Sequence, residues 1–194
     1  MAGLSLKNTP VEIRFLSARD ASAYSNLRLE ALETEPEAFG SSPAEHRMLS
    51  MDDIATRISD DPENKFVVGA FAHGRLLGTA GFLRDKGLKE RHKGQIWGVY
   101  ITRDARGKGI SREMLCLLLD RAIKIDGMEQ IKLAVSNTQL SAGRLYRSLG
   151  FESFGLERKA LKIGDKYVDE EHMVLYIKGP PIKDLRLTHP PPTP

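Results

Sequence analysis

Apolar residues recur along this chain with two spacings, one typical of strands and one typical of helices. In residues 11–16, apolar and polar side chains alternate, as in a strand with one buried face. Residues 65–72 and 75–83 are rich in strand-forming side chains, and the pair His73-Gly74 between them is typical of a hairpin turn. The predicted strands are 11–16, 65–72, 75–83, 95–102, 130–136, 151–156 and 167–177.

Helical spacing of apolar residues appears between these strands. Ser17-Ala-Arg-Asp20 fits the start of a helix, and Leu27 and Ala31 follow at helical spacing. The segment 111–125 is apolar around most of its circumference, which is typical of a helix buried against a sheet. The predicted helices lie between 17 and Pro36 and within 50–59, 111–125 and 142–149.

The order of these elements, β-α-α-β-β-β-α-β-α-β-β, indicates the fold class. Helices interleaved with strands favour a layered α/β domain, and the consecutive strands of residues 65–102 favour an antiparallel portion. A mixed sheet covered by helices is therefore predicted. The 194 residues fit one domain with tails: an N-terminal tail at 1–10, the domain at 11–177, and a proline-rich C-terminal tail at 178–194.

Composition narrows the class of protein. A chain that is 41% hydrophobic and 28% charged is neither collagen-like nor disordered. Its single cysteine, Cys116, excludes an internal disulfide and a thiolate zinc cluster, and it favours a reducing compartment. Residues 114–119 form the densest apolar run, far shorter than the roughly 20 residues that span a bilayer. Residues 1–9 lack the apolar stretch of a secretion signal. We therefore expect a soluble, cytoplasmic protein that does not bind a membrane.

The balance of charged residues says less about the class of protein than the composition does. The 29 Lys and Arg residues exceed the 26 Asp and Glu residues by three, a balance that suits anionic small ligands or a merely solvated surface. Five basic and two acidic residues fall in the linker 84–93, which is predicted to be an exposed loop. No recognition helix or aromatic platform accompanies this linker, so no nucleic-acid partner is expected.

A glycine-rich turn stands between a predicted strand and a predicted helix: Arg106-Gly107-Lys108-Gly109-Ile110-Ser111. Its glycines can adopt backbone angles barred to other residues and let a ligand approach the main chain closely. The free N–H groups of a helix start attract phosphate oxygens, and Arg106 and Lys108 add positive charge. The turn therefore predicts a phosphate site, although such turns also occur without a ligand.

Two nucleotide-binding motifs do not fit this turn. The P-loop motif needs Ser or Thr directly after a Gly-Lys pair, but Lys108 is followed by Gly109. The dinucleotide motif needs a third glycine in the helix, where Arg112 stands instead. Neither kind of nucleotide loop is therefore predicted.

Two segments of the chain resemble the GNAT N-acetyltransferase superfamily. Ile96-Trp-Gly-Val-Tyr-Ile-Thr-Arg-Asp-Ala-Arg-Gly-Lys-Gly-Ile110 looks like the signature in which Arg/Gln-x-x-Gly-x-Gly/Ala binds the pyrophosphate of acetyl-CoA. Ala142-Gly-Arg-Leu-Tyr-Arg-Ser-Leu-Gly-Phe151 is similar to the family's Ala-x-x-Leu-Tyr-x-x-x-Gly-Phe. The two segments stand at the family's usual separation, across one helix and one strand. The resemblance covers about residues 11–177.

This resemblance implies a fold and a cosubstrate. The fold is a single-domain GNAT-like α/β fold, a mixed and mostly antiparallel central sheet with helices on both faces and a splayed parallel strand pair. The cosubstrate is acetyl-CoA, whose extended arm would bond to main-chain groups of the opened strand edge. The implied cofactor-binding residues are Val99, Ile101, Arg106, Gly107, Lys108, Gly109, Ile110, Ser111, Asn137, Gln139 and Tyr146. No metal is implied.

Tyr146 has two interpretations. It falls on the apolar stripe of its helix, as a core tyrosine does. In the resemblance it lies beside the acetyl thioester, where a phenol can donate a proton to the leaving thiolate. The general base is left open among Glu30, Asp169, Glu170 and His172, and Trp97 and Tyr100 are candidates for the acceptor side.

The leading functional hypothesis is an N-acetyltransferase in which a primary amine attacks acetyl-CoA directly in a ternary complex. The alternative is a non-catalytic, acyl-CoA-binding regulatory module that keeps the same fold. The acceptor, a small-molecule amine or a protein amine, matches no substrate-specific pattern in the sequence. A homodimer is expected only as a common habit of the family.

Overall fold

The structure, a computed structural model, describes residues 10–177. The predicted C-terminal tail at 178–194 and all but the last residue of the predicted N-terminal tail at 1–10 lie outside the described part. The strands are β1 (Glu12–Phe15), β2 (Lys65–Ala72), β3 (Arg75–Arg84), β4 (Lys93–Ile101), β5 (Gln130–Ser136), β6 (Glu152–Ile163) and β7 (Lys166–Tyr176). The helices are α1 (Ala21–Thr34), α2 (Pro43–Arg47), α3 (Met51–Ile58), α4 (Ile110–Ala122) and α5 (Leu140–Ser148). Between residues 10 and 177, no helix combines the length and apolar character needed to cross a membrane.

The seven strands form one sheet in the order β1-β2-β3-β4-β5-β7-β6. Every neighbouring pair in this order is antiparallel except β4 and β5, which run parallel because α4 carries the chain from one to the other. The predicted mixed, mostly antiparallel sheet is confirmed.

Helices cover both faces of the sheet, as predicted. Phe66 and Val68 of β2 point into the core that includes α4, while Val67 points into the core that includes α1 and α3. This alternation follows from the two-residue period of a strand, and β2 is apolar throughout because both of its faces are covered. Met114 and Leu118 of α4 are fully buried, which matches the predicted buried helix.

One helix was not predicted, and one residue was misplaced. The missed helix is the short α2, which begins at Pro43, a position where a missing N–H costs no hydrogen bond. Arg84 was placed in an exposed linker. It is the last residue of β3 and is buried, donating from Nε to the Arg91 carbonyl at 2.6 Å and from Nη2 to the Asp126 carbonyl at 2.8 Å.

Candidate active site

The parallel strands β4 and β5 separate along their length. They pair over three residues each, from Lys93–Gln130 to Gln95–Lys132, and then diverge. Both strands continue, β4 to Ile101 and β5 to Ser136, with no pairing between them. A cleft opens in this gap, lined among others by Val99, Val135 and Tyr146. The predicted splayed parallel pair is therefore confirmed.

A bulge in β4 lies at the mouth of this cleft. Trp97 pairs with Gly81 and Tyr100 pairs with Thr79, so two residues of β4, Gly98 and Val99, oppose a single residue of β3. Gly98 has a φ of 63°, a conformation that is easy for glycine alone. A bulge bends its strand. Here the bulge lies beside Val99, which lines the cleft, while β4 stays paired with β3 on either side of it.

The turn before α4 presents unpaired main-chain donors. Gly107 and Gly109 both have positive φ, 76° and 80°, and Gly109 caps α4. The N–H groups of residues 107–111 donate to no acceptor among residues 10–177; the first helical N–H to bond is that of Arg112, to the Gly109 carbonyl. Free N–H groups at a helix N-terminus are donors of the kind that can bind an anion such as phosphate.

The two basic side chains of this turn are held by the protein. Arg106 donates from Nη2 to Glu35 at 2.9 Å and from Nε to the Ile101 carbonyl at 3.2 Å, and Lys108 donates to the Asp104 carbonyl at 3.1 Å. Burial acts to raise the pKa of Glu35, but the hydrogen bonds and charges of Arg106 and Arg103 outweigh it. The net effect is a lowered pKa. Arg106 thus fixes the turn relative to β4 and to the end of α1.

Tyr146 is buried and faces the cleft. It is 5% exposed, its ring packs edge-on against Phe151 at 6.1 Å between centroids, and it lines the cleft together with Val99. Burial alone raises the pKa of its phenol well above the ordinary value. The hydroxyl therefore stays protonated at every physiological pH and is available as a proton donor.

The two residues predicted in the loop between β5 and α5, Asn137 and Gln139, lie in different environments. Gln139 stands immediately before α5 and lines the cleft. Asn137 is exposed, and its N–H donates to the Asp169 carbonyl at 2.9 Å. Of the predicted cofactor residues, Val99, Gln139 and Tyr146 share the cleft, whereas Ile101, Asn137 and the turn at 106–111 do not line it.

A second opening, which we call the outer pocket, continues from the cleft on the face of the sheet that carries α1. The two openings share Phe39, Trp97 and the bulge glycine Gly98. Trp97 was predicted for the acceptor side and does line the outer pocket. Tyr100 does not line it: its ring is buried and its hydroxyl donates to Glu30 at 2.9 Å.

The four candidate bases occupy different settings. Glu30 accepts the Tyr100 hydrogen bond, and Asp169 accepts from the Lys159 N–H at 2.8 Å. Burial raises the pKa of Glu170. His172 lines the outer pocket, with its Nε2 3.0 Å from a carboxylate oxygen of Glu157. His172 is thus the one of the four that faces the opening shared with the cleft.

Among the residues of the site that sequence reasoning missed, two had a signal in the sequence. Gly98 is an isolated glycine inside a strand pattern, which marks a bulge. Arg28 lines the outer pocket and is 9% exposed. It stands four residues after Tyr24 and three before Ala31, on the buried stripe of α1. A charged residue on an apolar stripe is the signal that was overlooked.

The fold and this site together define a class of protein: an α/β domain whose parallel strands splay, with a glycine-bearing turn of free main-chain donors after the first of them. A family model described as the Acetyltransferase (GNAT) family matches residues 27–151. The chain belongs to this family.

Two curated relatives share part of this sequence. The protein named probable N-acetyltransferase YjcK of Bacillus subtilis (strain 168) is 27% identical over 124 residues, which cover 64% of this chain and 66% of the relative. N-acetyltransferase 8B of Homo sapiens is 35% identical over 83 residues, 42% of this chain and 36% of the relative. The chain therefore matches just under two thirds of one relative's length and about a third of the other's.

Solved structures share the fold over most of the chain. An acetyltransferase of the GNAT family from Streptococcus pneumoniae superposes with a TM-score of 0.76 and 20% identity, covering 87% of this chain and 99% of that one. The yncA structure from Salmonella typhimurium with its cofactor acetyl-CoA has a TM-score of 0.74 and 21% identity, covering 92% and 100%. These similarities establish the common fold.

Proposed function

We propose that this chain is an acetyl-CoA-dependent N-acetyltransferase that transfers the acetyl group to a primary amine by direct attack while both substrates are bound. Three features on connected elements carry the proposal. The turn that follows β4 has free N–H groups at residues 107–111, β4 does not pair with β5 beyond Gln95, and Tyr146 lines the cleft between these two strands. The names of the Bacillus and human relatives support it.

The residues present fit acetyl-CoA. Pyrophosphate oxygens suit the five free donors and the adjacent basic residues Arg106 and Lys108. An arm that carries amide groups suits the part of β4 that leaves β5, because this edge pairs with no strand near Val99. At Ile101 the carbonyl already accepts a hydrogen bond from Arg106 Nε, so the arm would have to compete for it. Gln139 faces the same cleft from the head of α5 and is a further contact for the arm.

Acetyl-CoA supplies the acetyl group as a thioester. In this proposal a main-chain N–H near Val99 stabilises the negative charge that develops on the carbonyl oxygen when the amine attacks. Burial raises the pKa of Tyr146 and so keeps its hydroxyl protonated, and this hydroxyl donates a hydrogen bond or a proton to the departing sulfur. An alkylamine of pKa about 10.4 is mostly protonated at pH 7, so a base must take its proton.

His172 is our proposal for that base, acting directly or through a water. It faces the outer pocket, and the contact of its Nε2 with a carboxylate oxygen of Glu157 at 3.0 Å holds the ring in place. Replacing His172 with Gln should lower the rate and remove one ionisation from the pH dependence of single-turnover transfer. An unchanged pH profile would assign the base elsewhere, with Glu170 next to be tested.

The proposal is tested by measuring thiol release from acetyl-CoA with a library of primary amines, alongside the melting temperature. Acetyl-CoA at 100 times its dissociation constant should stabilise the fold by about 2.7 kcal/mol. Stabilisation together with amine-dependent thiol release supports the transferase. Stabilisation with no thiol release for any amine would favour the non-catalytic module. A protein that acetyl-CoA does not stabilise fits neither.

A further inference from the structure

Arg28 is a buried guanidinium at the edge of the outer pocket. It is 9% exposed, and its Nη1 is fully buried with no hydrogen-bond partner among residues 10–177. Its Cζ lies 4.4 Å from the centroid of the Phe39 ring. Arginine stays charged in proteins, and a buried charge without a hydrogen-bonded counter-ion destabilises the fold that contains it. Packing alone therefore does not account for an arginine at this position.

A second positive charge lies in the same pocket. The Cζ of Arg57 stacks 4.6 Å from the centroid of the Trp97 ring, and both residues line the outer pocket. Burial lowers the pKa of Arg28, and the charge of Arg57 lowers it further. Burial also lowers the pKa of His46, and both arginines act in the same direction. Over the described residues, no carboxylate pairs with Arg28 or Arg57, so the pocket is positively charged.

Arg28 also lies beside the place of the proposed reaction. A Cβ built on the bulge residue Gly98 would be 4.0 Å from Arg28 Nη1. Gly98 precedes Val99, whose main chain is proposed to hold the acetyl carbonyl. An anion bound to Arg28 would thus be separated from the reacting amine by only a few atoms.

We propose that the outer pocket binds the carboxylate of the acceptor, and that the acceptor is a small amino acid-like molecule whose amine and carboxylate are one or two carbons apart. The proposal rests on the acetyl transfer proposed above. The planar guanidinium of Arg28 fits a carboxylate with two parallel hydrogen bonds. Phe39, Trp97 and Phe154 line the same pocket and suit an apolar side chain on the acceptor.

The proposal can be tested without turnover, by comparing how tightly the expected products, N-acetyl amino acids, and their carboxamides bind. The probes are N-acetyl-L-phenylalanine, N-acetyl-L-methionine and N-acetyl-L-leucine, each compared with its carboxamide by calorimetry with and without CoA. We expect at least one acid to bind about 10- to 100-fold more tightly than its amide, as a charge-assisted pair should. The same preference should appear in kcat/KM when each free amino acid is compared with its amide as acceptor.

A matched pair of variants separates recognition from packing. Arg14, like Arg28, stacks on a phenylalanine, at 4.1 Å from the centroid of Phe71, but its Nη2 also donates to Asp20 at 2.7 Å. Arg28→Met should abolish the preference for the carboxylate without lowering the melting temperature. Arg14→Met should lower the melting temperature and keep the preference. Arg28→Lys, which keeps the charge and loses the planar fork, should keep part of it.

Three results would overturn this inference: acids and amides that bind equally, a wild-type protein that binds neither, or a preference that survives in Arg28→Met. If Arg28→Met has a lowered melting temperature, the test relies on Arg28→Lys, which should lose part of the preference for the carboxylate. Failure of the transferase proposal is recognised separately. In that case acetyl-CoA is not consumed, while the preference for the carboxylate is still measured by binding.

Discussion

The cleft and the outer pocket lie side by side on the sheet, but they are assembled from different kinds of group. The proposed cofactor side consists largely of main chain: free N–H groups at residues 107–111 and the edge of β4 that does not pair with β5. The proposed acceptor side consists of side chains from α1, α3, β4 and β7, among them Arg28, Arg57, Trp97 and His172. A main-chain site can be encoded by one short segment, whereas a side-chain site requires the whole fold.

The two kinds of site differ in what determines the ligand that they bind. A site built of main-chain donors depends on backbone shape, so many side chains in it can change while the ligand stays the same. A pocket built of side chains from four elements changes its ligand when any one of them is replaced. We therefore expect the cofactor to be set by the motif at residues 106–111 and the acceptor to be set by residues such as Arg28.

The largest expected effect is on chemistry in the cleft. Tyr146→Phe keeps the ring against Phe151 and removes only the hydroxyl. If that oxygen is the general acid, single-turnover transfer should fall by roughly 10²- to 10⁴-fold while acetyl-CoA binding hardly changes. If Tyr146 is only a core residue, transfer continues at the wild-type rate and the variant loses at most about 1 kcal/mol of stability.

The second largest effect is expected from a change in the backbone of the turn that precedes α4. Gly109→Val should abolish the stabilisation by acetyl-CoA, because a branched residue cannot readily hold the φ of 80° that presents the free donors. Gly74→Val is the matched control: Gly74 has a φ of 74° in the β2–β3 turn, and at both glycines a Cβ would have no described neighbour within 4 Å. Both variants should lose about 1–2 kcal/mol of stability. Loss of the acetyl-CoA effect in both would refute the prediction.

A smaller effect is expected from charge on the same turn. Lys108 is exposed and donates to the Asp104 carbonyl, so its side chain adds to the field without forming the site. Lys108→Ala should weaken acetyl-CoA binding by only about 2- to 5-fold, the range of an exposed charge. A loss as large as that of Gly109→Val would show that side-chain charge, rather than main chain, holds the cofactor.

The smallest effect concerns the anchoring of α1, which carries Arg28. Two hydrogen bonds from Arg14 lower the pKa of Asp20 below its unfolded value of about 3.9. Such a group adds stability that is complete above the unfolded pKa and disappears as the pH falls through the folded pKa. Asp20→Asn should therefore lose about 1–2 kcal/mol at pH 7 and converge with wild type below about pH 4. Melting curves across this pH range measure the difference, and a constant difference would contradict the assignment.

Local signals explain why most of the fold was predictable. The alternation in residues 11–16, the His73-Gly74 turn and the buried stripes of the helices all matched elements in the structure. The short α2 was missed because Pro43 both breaks one helix and begins another. Arg84 was misplaced because a count of basic residues says nothing about burial.

The site was predictable on one side only. The turn at 106–111 and the position of Tyr146 carry motifs that can be found in a single sequence. Arg28 and Trp97 are 69 residues apart in the numbering and line one pocket only because α1 packs on the face of the sheet to which Trp97 also contributes. No local pattern encodes that meeting, so the acceptor side required the structure.

Hydrogen exchange with and without acetyl-CoA tests whether main-chain N–H groups hold the cofactor, because it measures the exchange of individual N–H groups. We expect strong protection of residues 107–111 and of the β4 segment at 98–101 when acetyl-CoA binds, with no change in the β6–β7 turn at Gly164. Protection that leaves residues 107–111 unchanged, although acetyl-CoA binds, would contradict it.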